Sequence, residues 1–255
     1  MRFWLGTHMP HWLALVDVPL FVSHRRLARY KGALPVAGVE WALDSGGFTE
    51  LSMFGEWRTT LDEYVVAVRR YQAEVGRLEW AAPQDAMCEP WILSKAAGWL
   101  GGTVAAHQAW TVRNLLELRA AAPDLPFVPV LQGWDRDDYL RCVDLYLAAG
   151  VDLTVEPIVG VGSVCRRQAT DEITAIFAAL DGIRCHGFGV KSAGLAKYGH
   201  LLASADSMAW SFRGRHIRPC PHTQAASCAN CLPHALAWRD RAIRAAASPS
   251  VRPHP

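Results

Sequence analysis

The chain has 255 residues, 51% hydrophobic and 20% charged, with a formal net charge of +2. This composition supports a packed core and excludes an intrinsically disordered chain. No apolar run reaches the length of a membrane span and the N-terminus lacks a signal-peptide pattern, so no membrane association is expected and the expected compartment is the cytoplasm.

Seven cysteines in such a chain read as thiols or metal ligands, not as a disulfide framework. The charge is unevenly spread: from Ser207 onward there are seven Arg and one Asp. A basic end on a near-neutral body suggests contact with a polyanion.

In chain order, a first strand is expected at residues 3–6, running into the polar turn Thr7-His8-Met9-Pro10-His11. Residues 20–23 give the second. The third carries Val39, Trp41 and Leu43 and stops in Asp44-Ser45-Gly46-Gly47-Phe48. A strand that ends this way presents Asp44 at its C-terminal end, and Ser45 with the glycines lets backbone approach a ligand closely. The same residues also suit an ordinary turn. Thr60-Leu61-Asp62-Glu63 is a capping box, followed at helical spacing by Leu61, Tyr64, Val65, Val68, Tyr71 and Val75. The fourth strand, 79–83, leads to Gln84 and Asp85. A helix is predicted over 103–122 with Trp110, Leu115 and Leu118 inward.

The fifth strand, 127–131, ends in Gln132-Gly133, and Tyr139, Val143, Tyr146 and Leu147 mark the next helix. The sixth strand is placed at 153–156, opening into a loop Val159-Gly160-Val161-Gly162-Ser163, with a helix over 170–180 behind it. The seventh is placed at 184–190 and the eighth at 207–211. Alternating strands and helices in this number predict an α/β chain closed as a TIM-type (β/α)8 barrel over residues 1–212. Residues 213–245 form the expected zinc-binding segment and a docking helix with Leu236, Trp238 and Ile243, and 246–255 an expected disordered tail.

Asp44, Asp85, Gln132, Glu156, Lys191 and Asp206 each fall at or beside a strand end. Two carboxylates converging on one site can divide nucleophilic attack and proton transfer. A further carboxylate with an amide can read a planar heterocycle, since Asp accepts and Gln both accepts and donates. Gly160 and Gly162 offer backbone beside a flat ring. The run Cys220-x-His222-x5-Cys228-x2-Cys231 supplies thiolates and an imidazole in tetrahedral number, which suits one structural Zn2+ ion. His234 is the alternative fourth ligand.

The order Asp-Ser-Gly-Gly-Phe (44–48), Pro-Gln-Asp (83–85), Val-Leu-Gln-Gly (130–133), Gly-Val-Gly-Ser (160–163), His-Gly-Phe-Gly-Val (186–190) and the cysteine cluster resembles the tRNA-guanine transglycosylases. It is most similar to their shorter relatives, the phage and bacterial 7-deazaguanine DNA transglycosylases of the DpdA type. The resemblance implies a glycosyltransferase that exchanges guanine in DNA for a 7-deazaguanine base, such as 7-cyano-7-deazaguanine, through a covalent aspartyl-deoxyribosyl intermediate. DNA is the implied partner and tRNA the alternative. A non-catalytic nucleic-acid-binding barrel is the reading from another class. A phage-encoded chain would act in the host cytoplasm.

Residue by residue, the resemblance assigns acid/base work to Asp44, recognition of the guanine edge to Asp85, base contact to Gln132 and Gly133, and backbone contact to the loop from Gly160 to Gly162. The nucleophile falls on the last strand, where this chain offers Asp206. In the tRNA enzymes that strand carries two closely spaced aspartates. Asp206 aligns with the first and Ala209 stands at the second, so Asp44 remains the rival nucleophile.

Overall fold

The computed structural model describes residues 1–167 and 170–247. Its strands are β1 (Arg2–Thr7), β2 (Leu20–Ser23), β3 (Trp41–Asp44), β4 (Leu78–Ala81), β5 (Val130–Leu131), β6 (Val159–Val161), β7 (Cys185–Gly187) and β8 (Ser204–Ser207). They form one sheet in the order β4-β3-β2-β1-β8-β7-β6-β5, and every pairing is parallel. The ends of that order meet through a parallel bridge, Ala81 opposite Phe127. The Ala81 N–H donates to Pro126 O at 2.9 Å, and the Val128 N–H to Ala81 O at 3.1 Å. The sheet thus curls into a barrel, as the alternation of elements predicts.

Successive side chains along a strand face opposite ways, and here both faces are apolar. Phe3, Leu5, Leu20, Val22, Trp41, Leu43, Leu131, Val159 and Val161 pack outward under the helices. Trp4, Phe21, Ala42, Trp80, Val128 and Ile158 fill the barrel. Trp80 is the centre of that plug, with ring centroids 5.8 Å from Trp4, 5.3 Å from Phe21 and 4.8 Å from His186. A filled interior leaves ligand space at the rim. The next inward position after Ala42 is Asp44, opposite Ser23; on β8, Asp206 pairs in register with the inward Trp4.

Thr60 caps the helix Leu61–Glu74 through the expected box with Glu63, and that helix buries Tyr64, Val65, Val68 and Tyr71. The helix Val104–Ala121 differs. Leu115 and Leu118 are inward as expected, but Trp110 is half-buried against Trp99, with centroids 4.8 Å apart, and His107, Gln108, Thr111 and Asn114 are buried in its stead. The C-terminal helix Leu232–Ala247 docks on the barrel with Trp238 against Phe3 at 6.0 Å, and Leu236 and Ile243 pack on the core. It runs past the expected start of the tail; residues 248–255 lie outside the described residues.

Two strands stand away from their predicted places. Residues 153–156 are a turn, with the Thr154 N–H on Asp152 Oδ1 at 2.9 Å and Val155 77% exposed. Glu156 therefore sits at no strand end and pairs with Arg119 at 2.7 Å. The strand is the Val159-Gly160-Val161 segment that was expected to be loop. Likewise β8 ends where the eighth strand was expected to begin. Residues from 209 start the helix Ala209–Gly214, whose Trp210 donates its indole N–H to Gly6 O at 2.8 Å. No helix among the described residues is long and apolar enough to cross a membrane.

Candidate active site

A cavity of about 510 Å³ opens at the C-terminal ends of the strands, lined among others by Asp44, Ser45, Gly46, Asp85, Gln132, Gly162 and Asp206. Each side is built by a local device. After Asp44, Gly46 takes a left-handed φ of 85°, and a Cβ there would lie 2.8 Å from Arg25 Cγ. Only glycine makes that turn freely. At Gly47 a Cβ would lie 3.2 Å from Asp85 Oδ1, so its absence lets Asp85 close on the first turn of the next helix.

Asp85 sits on an irregular stretch held by side chains. Trp57 donates its indole N–H to Asp85 O at 2.9 Å. From the helix Val104–Ala121, Asn114 donates to Gln84 O at 2.7 Å, Thr111 accepts the Ala86 N–H at 2.9 Å, and His107 Nδ1 lies 2.7 Å from Met87 O. Buried backbone groups need such partners when no sheet supplies them. Gln108 fixes the end of β5 by donating to Gln132 O at 2.7 Å.

The Gln132 side chain donates through Nε2 to Asp85 Oδ2. Its Oε1 accepts from Ser163 Oγ at 2.8 Å. Gly162 gives this amide its room. Gly133 and Gly160 do not line the cavity: Gly133 is pressed against Asp138 and Tyr139 of the helix Arg136–Ala148, and Gly160 lies under the Phe188 ring, 2.5 Å from where its Cβ would be. Both serve packing around the site.

Electrostatically the cavity is a set of acids taken from water. Burial raises the Asp44 carboxyl; hydrogen bonds from the Ser23 hydroxyl and the Gly46 N–H work against the rise, and the Asp206 charge adds to it. Burial likewise pushes Asp85 up to about 7, opposed by the Gln132 donor and aided by Asp44 and Glu89. Asp206 is 6% exposed. Its Oδ1 accepts the Gly189 N–H at 2.8 Å and stands 3.4 Å from His186 Nε2, while His186 Nδ1 is 2.8 Å from Ser204 Oγ. Arg25, Arg26 and Arg29 line the mouth. Arg25 pairs with the buried Glu50; neither Arg26 nor Arg29 forms an ion pair among the described residues. Phe48, 45% exposed, stands at the mouth with Arg166 over its ring at 5.4 Å.

Residues 1–254 match the family described as DpdA, DeoxyPurine in DNA protein A. The chain belongs to the DpdA family. The kinship expected from the motifs is thereby borne out over almost the whole length. No curated protein matches the chain. Among solved structures it is similar to the X-ray crystal structure of the YdjI aldolase from Escherichia coli K12, at 11% identity and a TM-score of 0.39, with 98% of this chain and 92% of that chain covered. A likeness at that level says nothing about chemistry.

The DpdA-family chain carries a second cluster. Cys220, His222, Cys228 and Cys231 bring their ligand atoms within 4.8 Å of one another. His222 Nδ1 is 3.4 Å from Cys231 Sγ and 3.7 Å from Cys228 Sγ, and the two sulfurs of Cys220 and Cys228 are 3.1 Å apart. All seven cysteines are free thiols. The cluster can hold a metal ion. His234 is not part of it: its Nε2 lies 3.2 Å from Trp210 O. The cluster abuts the barrel rim, where Ser211 donates to Ala229 O at 2.8 Å and His8 Nε2 meets Asn230 Oδ1 at 2.6 Å.

Sequence reasoning passed over Glu89, Ser163 and the polar face of the helix Val104–Ala121. The face had a signal in its spacing: His107, Thr111 and Asn114 recur at four and three residues, the period of one helix side. Ser163 was visible only as the end of the Gly-Val-Gly-Ser motif, and Glu89 had no signal until the fold brought the two together.

Proposed function

We propose that this DpdA-family chain exchanges guanine in DNA for a 7-deazaguanine base by double displacement in the rim cavity. The observation that carries the reading is the convergence of Asp44, Asp85, Gln132 and Asp206 on one cavity in a chain of this family. A non-catalytic barrel gives no account of that convergence.

A guanine turned out of the stack enters the cavity. Asp85 accepts from its N1–H and exocyclic amine, and Gln132 donates beside it. An Asp206 oxygen attacks C1′. The C1′–N9 bond breaks with its electron pair on the base, and Asp44, whose carboxyl burial raises, delivers a proton to that base. The product is an aspartyl-deoxyribosyl ester and neutral guanine. The 7-deazaguanine takes the vacated place, gives its N9 proton to Asp44 and displaces Asp206 from C1′. Two displacements retain the configuration, and carboxylates stabilise the oxocarbenium-like transition state as in retaining glycosidases. The end of β8 at Ser207 supports Asp206 as the nucleophile, since Asp206 is then a strand-end residue and Ala209 belongs to the following helix. Arg26, Arg29 and Arg166 are suited to phosphates around the flipped nucleotide.

The three thiols and one imidazole suit zinc, and four protein ligands leave no open position. Such an ion is structural: it fixes the turn that abuts the rim. No reaction step runs through it.

Nucleoside mass spectrometry of DNA and RNA from cells expressing the chain with a deazaguanine supply tests the proposal. A 7-deazaguanine deoxynucleoside in DNA is the expected result. The modified nucleoside in tRNA instead would assign the chain to RNA, and its absence from both would end the exchange reading.

A further inference from the structure

Behind the base-reading pair, Asp85, Gln132, Ser163 and Glu89 form one hydrogen-bonded row. Gln132 Nε2 donates to Asp85 Oδ2. Ser163 Oγ lies 2.8 Å from Gln132 Oε1 and 2.8 Å from Glu89 Oε2, and accepts the Cys88 N–H at 2.9 Å. All four side chains are buried. Ser163 takes a left-handed φ of 56°, rare for a residue with a side chain, and these bonds hold it there.

Counting protons restricts the row. A serine hydroxyl has one proton, so it cannot donate to both oxygens, and an amide oxygen has none to give. With Ser163 donating to Gln132, Glu89 must donate to Ser163. The alternative reverses every bond: the amide turns over, Ser163 donates to an ionised Glu89, and Asp85 must donate to the amide oxygen. With both carboxyls ionised, two acceptors face one another.

Two observations choose the direction. Glu89 Oε1 is buried with no hydrogen-bond partner among the described residues. A neutral acid bears that far more cheaply than a carboxylate. Asp85, by contrast, lines the cavity, where the donors of a bound base edge can reach it. The geometry points to Glu89 as the holder of the row's proton, donating to Ser163 and so fixing the Gln132 amide with its N–H group on an ionised Asp85. Glu89 is thereby a positioning and specificity residue, an inference that rests on the reading of Asp85 as acceptor of the guanine edge. In this direction Asp85 offers only acceptors, matching a base edge with adjacent donors. Reversed, its one proton would lie on the amide oxygen, leaving the base a neutral carboxyl, a weaker acceptor for those donors.

The groups facing Glu89 are Arg166 and Arg167, which favour its ionised form, and Asp85, Cys88, Cys165 and Tyr139 on its other sides. Burial outweighs the Ser163 hydroxyl, the Glu89 backbone N–H and the arginines, and holds the Glu89 carboxyl above the usual range.

Infrared spectroscopy of the full chain at pH 8, with the side-chain carboxyls of either Glu or Asp carrying carbon-13, reads the proton directly. The C=O band of a buried neutral acid should shift with labelled Glu and vanish in Glu89→Gln. A band that follows labelled Asp and vanishes in Asp85→Asn, as the band of a neutral Asp44 would not, overturns the assignment. Calorimetry with free guanine adds a functional arm. Glu89→Gln keeps an N–H donor for Ser163, so binding should stay within about twofold of wild type, while Ser163→Ala should lose about tenfold. Wild type should also bind guanine more weakly as alkali removes the Glu89 proton, and Glu89→Gln should lack that weakening. Glu89→Gln binding tenfold more weakly, with an unchanged pH profile, refutes the inference. If the Glu band is present but wild type binds no guanine, the base-exchange reading falls and the proton assignment stands.

Discussion

A Cβ built on Gly162 lies 2.2 Å from Nε2 of Gln132. That overlap makes residue 162 part of the proposed recognition machinery although it has no side chain. Gly162→Ala must push the amide off Asp85 or bend the end of β6. Overpacking of this kind costs about 1–3 kcal/mol. Base exchange should fall about ten- to hundredfold, in line with that energy. Steady-state kinetics beside thermal melting checks it; unchanged kinetics would separate Gln132 from the base.

Asp206 and Asp44 make opposite predictions in one experiment. Enzyme and guanine-containing DNA are mixed without incoming base and denatured, and a protein–DNA adduct is sought. Asp206→Asn should give no adduct. Asp44→Asn should slow exchange about 10²–10⁴-fold, the usual worth of a positioned proton donor, and still trap some adduct. Adduct from Asp206→Asn and none from Asp44→Asn would reverse the roles.

The Asp85 carboxyl, pushed up to about 7, predicts a pH profile and a stability profile. Activity should rise through about pH 7 as Asp85 ionises. For stability, the folded chain holds the Asp85 proton more tightly than the unfolded chain does. That contribution is complete below the unfolded carboxylate value of about 3.9 and is lost as pH rises through the folded value. Asp85→Asn removes the titration. It should melt level with wild type near pH 4 and above it at pH 8, by a gap on the order of a few kcal/mol, while being inactive. Equal melting at both values would mean that Asp85 is not held out of water.

Thr111→Val tests the polar face of the helix Val104–Ala121. It leaves the Ala86 N–H, otherwise satisfied at 2.9 Å, buried without an acceptor. The expected loss is about 1–3 kcal/mol in denaturant unfolding, accompanied by a raised KM for guanine-containing DNA. A stability loss with no change in KM would detach that face from base recognition.

Metal analysis should find one zinc ion per chain, lost in Cys228→Ser and retained in His234→Ala. Metal-binding energy is folding energy at such sites, so chelation should lower the melting temperature. It should also lower activity, because the cluster's turn touches the rim through Ser211 and His8. Full zinc content in Cys228→Ser would remove that cysteine from the ligand set.

The barrel, the capping box at Thr60 and the metal spacing were legible because each is a local pattern. Asp44, Asp85 and Gln132 were legible as polar residues at strand ends, and Asp206 through the family resemblance, since the eighth strand was expected to begin at Ser207 and instead ends there. The sixth strand was misread because Gly160 and Gly162 look like loop. Their glycines answer Phe188 and Gln132, residues distant in sequence, and no local pattern reports that. Residues 153–156 imitate a strand by alternation, while Asp152 had already turned the chain. Ser207 to Ser211 was read as strand because its apolar residues suit either element, and Trp210 finds its indole partner on Gly6, at the other end of the sequence. Glu89 and Ser163 acquire meaning only as neighbours, and 74 residues separate them.

Asp85 follows β4 and Gln132 follows β5, and one bridge joins β4 to Phe127 just ahead of β5, whereas the other joints have two to four paired positions among the described residues. The two jaws proposed to grip the base edge thus belong to the joint with the least backbone pairing. Their separation is set by Trp57, Gln108, Thr111 and Asn114, not by sheet register. The gauge of the pocket is consequently written in side chains that mutation can rewrite singly, while the barrel that carries them stays whole.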